Sequence, residues 1–291
     1  MTVEVQSVDS GTVTGAARPA DAETAPLVAA TLRRRGWLRF WRTMLGIGFP
    51  LALLALWEAV AAAGMIDRRF FPAPSKIGAS VVDLLASATD RAQLWEHVQA
   101  TLWRLLIGYG FGALAGISLG ELMGQNSWVR YAVSPILYGL FPLPKIAIYP
   151  LVIVIFGIGD ASTAALVMLG VFFMTCINTL AGVLYTQPIY QDVATAFRMP
   201  PLTRWFRVII PSAMPSIITG ARLGLGQALI LVISAEFVSG DSGIGRLIWD
   251  SWQVLNIPRM FVGLFVILLF GAAAAWAGDY AERKLIPWKQ R

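Results

Sequence analysis

The side chains able to do acid–base, nucleophilic or metal chemistry are few in this sequence, and they are scattered. There is one histidine, His97, and one cysteine, Cys176. A lone histidine beside an apolar run reads first as a structural or interfacial residue. Cys176 sits inside an apolar run; by itself it forms no disulfide within the chain and lacks partners for a metal site. No Cys/His spacing suits zinc. No GxxxxGK[ST] loop is present to cradle a nucleotide. The sequence therefore predicts no catalytic set and no metal centre.

The remaining candidates are ionisable residues inside apolar runs: Glu58, Arg104, Glu121, Lys145, Arg222 and Glu236. Charge at membrane depth is expensive and is often kept for function. Each also has a plainer reading. Arg104 and Arg222 lie near the ends of their runs and are expected to snorkel. Glu121 sits near a run end, and Glu58 could face a partner helix. Lys145, in FPLPKIAIYP, and Glu236 stand out as a pair. If their runs line one pathway, Lys145 could attract an anion and Glu236 could position it. A structural ion pair between the two explains them equally well.

The elements that must hold these residues are membrane spans. Of 291 residues, 57% are hydrophobic and 14% charged, with mean hydropathy +0.65. A soluble domain carries about 25% charged residues. Apolar runs near the ~20 residues that cross a bilayer recur at 43–64, 99–123, 131–157, 162–184, 213–238 and 260–280. The third is expected to be kinked or discontinuous at Pro135, Pro142, Pro144 and Pro150. Interfacial helices are expected from Pro74 onward and within 239–259. Residues 1–32 read as a disordered tail with no signal peptide, 33–284 as the membrane domain, and 285–291 as a second tail. A cluster from Arg33 to Arg42, interleaved with Trp37, Phe40 and Trp41, reads as a membrane anchor. With both termini cytoplasmic, the outer loops hold only Arg68, Arg69, Lys76, Arg91, Arg246 and Arg259, and the inner loops and tails hold most of the remaining basic residues. The net charge of +6 then reflects basic flanks against a lipid bilayer, not a nucleic-acid surface.

That orientation places one long polar interruption, Asp192 to Pro215, in the cytoplasm. Val193, Ala196 and Phe197, then Leu202, Trp205, Phe206 and Ile209, keep helical spacing broken once at Pro200-Pro201. Two short surface helices are expected. They could lie on lipid headgroups or dock on a partner, with Phe197, Trp205 and Phe206 filling a cleft and the arginines meeting its acidic rim.

The spacing here resembles the E-A-A, three residues, G, nine residues, I-x-L-P loop of binding-protein-dependent ABC importer permeases. Asp192-Val193-Ala194, Arg198 and Val208-Ile209-Ile210-Pro211 keep the spacing, with Arg198 where the family carries glycine. FPAPSKI (71–77), HVQATLWRLLIGYGFGALAGISLGELMG (97–124), SPILYGLFPLPKIAIYPLVIVIFGIGDAS (134–162) and SGIGRLIWDSW (242–252) look like the nitrate/sulfonate/taurine branch. The resemblance covers about residues 45–285. It implies an all-α polytopic protein of six transmembrane helices in the type I importer permease fold, in a bacterial inner or plasma membrane. The loop 188–212 would form a cytoplasmic coupling helix, with Asp192, Ala194, Phe197, Arg198, Trp205, Arg207 and Pro211 as the coupling residues. The implied assembly is a permease homodimer with two ABC ATPase subunits and an extracytoplasmic substrate-binding protein. ATP and Mg would sit on the ATPases, with no cofactor and no enzyme activity on this chain. The expected cargo is a small anion of the sulfonate, taurine or nitrate kind, carried by alternating access. A heterocyclic vitamin precursor is the alternative within the branch. An ion-coupled secondary transporter is a rival outside it, and would show matching broken helices in two halves.

Overall fold

The computed structural model describes residues 37, 41, 44–67, 69–186 and 188–288. The tail 1–32, the arginines of the basic cluster and residues 289–291 lie outside them. No strand occurs among the described residues. The chain divides into two units, 1–66 and 67–291. The first contributes α1 (Met44–Ala62), an apolar helix long enough to cross a membrane.

The second unit contains α2 (Pro74–Ala86), α3 (Ala88–Gln125), α4 (Ser127–Leu140), a 3-10 turn (Lys145–Ile148) leading into α5 (Tyr149–Phe156), α6 (Asp160–Leu184), α7 (Pro188–Ala196), α8 (Pro201–Arg204), α9 (Ile210–Ser239), α10 (Ile244–Gln253) and α11 (Ile257–Leu285). With α1, five continuous helices are long and apolar enough to cross a membrane. The bent pair α4 and α5, turned by 92° at the Phe141–Pro144 break, brings the number to six when it is counted as one span. The third span is thus discontinuous, as its prolines predict. Two boundaries differ from expectation. α3 has 38 residues, because the polar stretch before residue 99 continues the same helix. It starts at a Ser87 cap whose hydroxyl accepts the Asp90 N–H at 3.3 Å. The fifth span begins at Pro201 instead of 213, in one helical run to Ser239.

α6 packs against both α3 and α9, which also touch each other. What brings α3 against it is a ladder of glycines at every fourth position: Gly108, Gly112, Gly116, Gly120 and Gly124. A Cβ on Gly116 would stand 2.0 Å from Thr175 Oγ1 and 2.5 Å from the Phe172 carbonyl. On Gly112 it would stand 2.6 Å from the Met168 carbonyl. Lipid tails are as apolar as leucine, so close van der Waals packing of backbones takes over from hydrophobic burial as the force between helices. α9 approaches an adjoining face of α6 at Gly220, over Asn178, and Gly224, over Val171. α11 is tied to α9 by Arg222, which pairs with Glu282 at 2.6 Å and with Asp279. Arg222 therefore binds carboxylates where snorkelling was expected.

The ladder makes a graded prediction. Gly116→Ala costs about 1–3 kcal/mol by overpacking. Gly110→Ala, where a Cβ meets nothing within 4 Å, is neutral. Thermal unfolding of the two purified variants in detergent measures the difference.

Candidate functional site

The segment after α6 folds as a surface helix, a tight reversal and a second helix that runs straight into a span. Thr186 roots it: its hydroxyl stands 3.0 Å from Ser212 Oγ, joining the end of α6 to the start of α9. α7 ends in a left-handed residue, Arg198, at φ +48. The Arg198 N–H bonds the Thr195 carbonyl at 2.9 Å and the Met199 N–H bonds the Ala194 carbonyl at 3.0 Å. This pair of bonds closes the last turn of a helix when the next residue is left-handed, a place usually taken by glycine. Arg198 adopts that conformation at a cost of about 1–2 kcal/mol. Ala194 is buried beneath the turn. Phe197, 75% exposed, projects with Val193, Leu202 and Phe206.

Pro201 opens α8, and the helix then widens into a π-turn over Trp205–Ile209, closed by the Ile210 N–H on the Trp205 carbonyl. Pro211 explains the widening. It has no N–H, and in a regular helix its ring would strike the carbonyl four residues back. One extra residue in the turn removes the conflict. The second expected surface helix is therefore the first two turns of the long helical run to Ser239. Trp205 is half-buried and Arg207 exposed. Arg207 and Pro211 line a cavity of about 240 Å³ with Tyr190, Val193 and Trp288.

Lys145 and Glu236 are not joined. Lys145 sits at the break between α4 and α5. Its ammonium donates to the Phe141 carbonyl, which has lost its helical partner at the end of α4. It also stands 4.9 Å from the Phe141 ring centroid and 5.2 Å from that of Phe173. Tyr149 fixes α5 beside it, its hydroxyl 3.0 Å from Thr163 Oγ1 and 2.7 Å from Ser239 Oγ.

Glu236, near the end of α9, is 0% exposed. Its carboxylate accepts from Thr101 Oγ1 at 2.8 and 3.0 Å, from Arg104 Nη1 at 3.0 Å and from the Gly245 N–H at 2.8 Å. Arg104, 3% exposed, also donates to Asp160 Oδ1 at 2.6 Å, the Ser242 carbonyl at 2.7 Å and Ser242 Oγ at 3.0 Å. It does not snorkel. The turn between α9 and α10 folds around this carboxylate. Gly243 has φ +114, and a Cβ there would lie 2.1 Å from Glu236 Cδ. The Gly243 N–H donates to His97 Nδ1 at 3.0 Å, and the Ile244 N–H to Thr101 Oγ1 at 2.8 Å. His97 is thus a structural acceptor, as a lone histidine suggests. Thr101, Asp160 and Gly243 carry no signal in the sequence read alone; opposite charges at Arg104 and Glu236 were the available clue. Glu121 is half-buried late in α3, and Glu58 lies on α1. No group of three or more His, Cys, Asp or Glu side chains able to hold a metal occurs among the described residues.

Two predictions follow from these geometries. Arg104→Met strands a buried carboxylate and costs about 3–5 kcal/mol. Glu236→Gln costs less, roughly 1–3 kcal/mol, because Arg104 keeps Asp160 and Ser242; chemical denaturation in detergent micelles ranks the pair. Arg198→Gly relieves about 1 kcal/mol of left-handed strain, slowing amide hydrogen exchange across 194–199 by up to about fivefold.

The sequence and the fold are matched by known proteins. The taurine transport system permease protein TauC of Escherichia coli (strain K12) is 30% identical over 87% of this chain and 92% of its own length. The bicarbonate transport system permease protein CmpB of Synechocystis is 30% identical over 86% of this chain and 92% of its own. Among solved structures, inward-facing conformations of the MetNI methionine ABC transporter match with a TM-score of 0.60 at 20% identity, over 68% of this chain and 99% of the matched one; the likeness is one of fold. Residues 108–287 match the model of the binding-protein-dependent transport system inner membrane component, and it is to this family of ABC importer permeases that the chain belongs.

Proposed function

We propose that this permease works as a homodimer with two cytoplasmic ABC ATPase subunits and imports a small anionic solute by alternating access. Taurine-like sulfonates head the candidates, since taurine and bicarbonate permeases are among its relatives. The observation that carries the proposal is the exposed apolar patch of Val193, Phe197, Leu202 and Phe206, built on a helical run that continues to Ser239. A patch set on such a rod can receive a push and pass it into the membrane as a rigid-body movement. Phe197 is the anchor of the docking surface. Asp192, Arg198 and Arg207 supply exposed polar groups at its edge. Ala194, Trp205 and Pro211 set the angle between the two helices.

The basic bias of the inner loops supports cytoplasmic termini. The opposite face then carries α2, α10 and the start of α11. A cavity of about 450 Å³ opens there, lined by Lys76, Asp83, Asp90, Asn256 and Arg259, and charges of both signs suit the docking of an extracytoplasmic binding protein. ATP and Mg belong to the ATPases.

Co-purification with the ATPase subunit tests the docking surface. Phe197→Asp and Phe206→Asp each lower recovery of the ATPase by about tenfold or more while the permease still inserts; full recovery with both variants ends the assignment. Uptake of taurine into proteoliposomes bearing the whole complex tests the transport reading. It requires ATP and the binding protein, and an ion gradient does not replace them.

A further inference from the structure

Of the three basic side chains that interrupt the apolar runs, Arg104, Lys145 and Arg222, Lys145 is the one that forms no ion pair among the described residues. Arg104 pairs with Glu236 and Asp160, and Arg222 with Asp279 and Glu282. No ion pair to Lys145 occurs among the described residues. Its neighbours are one carbonyl and two aromatic faces. These stabilise a cation without neutralising it. The positive charge therefore stays available at a half-buried site of low dielectric, where it acts more strongly than in water.

The surroundings give the charge a direction. The chain is broken from Phe141 to Pro144 and bent by 92°. Irregular backbone at membrane depth does not face lipid; it is buried in protein or lines a water-filled cavity. Pro142, Leu143, Pro144 and Ile146 are exposed in the single chain. A lysine placed there stands on a route for solute, with the rings of Phe141 and Phe173, 6.4 Å apart, as apolar walls.

We propose that the break between α4 and α5 is an anion-binding station, with Lys145 as its charge and Phe141 and Phe173 as its walls. The class of ligand is a small organic anion: a head bearing a full negative charge, such as a sulfonate, and a short apolar tail. This inference deepens the importer reading and rests on it for the direction of transport.

The competing role is purely structural, since Lys145 caps the carbonyl end of α4. Lys145→Gln separates the two roles: the amide keeps an N–H donor for the Phe141 carbonyl and loses the charge. The experiment uses the full-length chain in membrane vesicles, with Cys176→Ala removing its single cysteine and Ile146→Cys as a reporter. Modification rates are measured with 2-sulfonatoethyl methanethiosulfonate, an anion, and with its trimethylammonioethyl counterpart, a cation. The station predicts that Lys145→Gln lowers the anion-to-cation rate ratio by about tenfold. It also predicts that millimolar ethanesulfonate slows the anionic reagent only where Lys145 is present. An unchanged ratio overturns the proposal, as does a reporter that reacts with neither reagent, which would place the break in lipid. Neither rate depends on ATP. Loss of ATP-driven uptake with an intact charge effect therefore counts against the importer reading alone, and normal uptake with no charge effect against the station alone.

Discussion

The carboxylate of Glu236 is the interaction on which the rest of the second unit hangs. It is fully enclosed, and a bare carboxylate in such a place would cost several kcal/mol in lost hydration. It is held by three donor residues on two elements: Thr101 and Arg104 of α3, and the Gly245 N–H at the start of α10. Arg104 in turn reaches Asp160 at the start of α6. One buried charge thus fixes the relative heights of α3, α6 and α9 and shapes the turn that follows. Glycine at 243 is obligatory there, because the turn must pass within a Cβ radius of the carboxylate and at positive φ.

Below this cluster α3, α6 and α9 are held mainly by close backbone packing. The ladder on α3 and the glycines of α9 let backbones meet on adjoining faces of α6, which is how membrane helices associate when apolar burial offers no difference between lipid and protein. Such packing specifies position along and around the helix axis. It says nothing of polarity, so the charged cluster and the glycine stripes divide the work of registering the bundle.

α9 connects the two places where chemistry is concentrated. One end carries the exposed patch around Phe197 and Phe206, the other the carboxylate of Glu236. Between them the helix is interrupted only by the π-turn at Trp205–Ile209, which absorbs Pro211. α8 and the turn around Gly243 thus stand at the two ends of one helical run. The hydroxyl of Tyr149, bound to Ser239, couples the same end of the rod to the broken span that holds Lys145.

How much of this was legible in the sequence differs by residue. The spans, the break at Phe141–Pro144, the surface helices and the peculiarity of Arg198 follow from local rules: apolar length, proline density, helical spacing and a family pattern lacking its glycine. Those rules act within a few residues, and a linear string displays them fully. The partners of charged groups do not follow. Arg104 read as a snorkelling residue and Glu236 as a mate for Lys145, because depth in a span can be estimated from sequence but azimuth around a helix of a folded bundle cannot. The sequence by itself determined which segments enter the membrane and where the chain must break. Only the tertiary structure decided that Arg104 meets Glu236 across 132 positions while Lys145 forms no ion pair among the described residues, since both outcomes depend on how α3, α6 and α9 are rotated against one another by glycines whose partners lie far away in the chain.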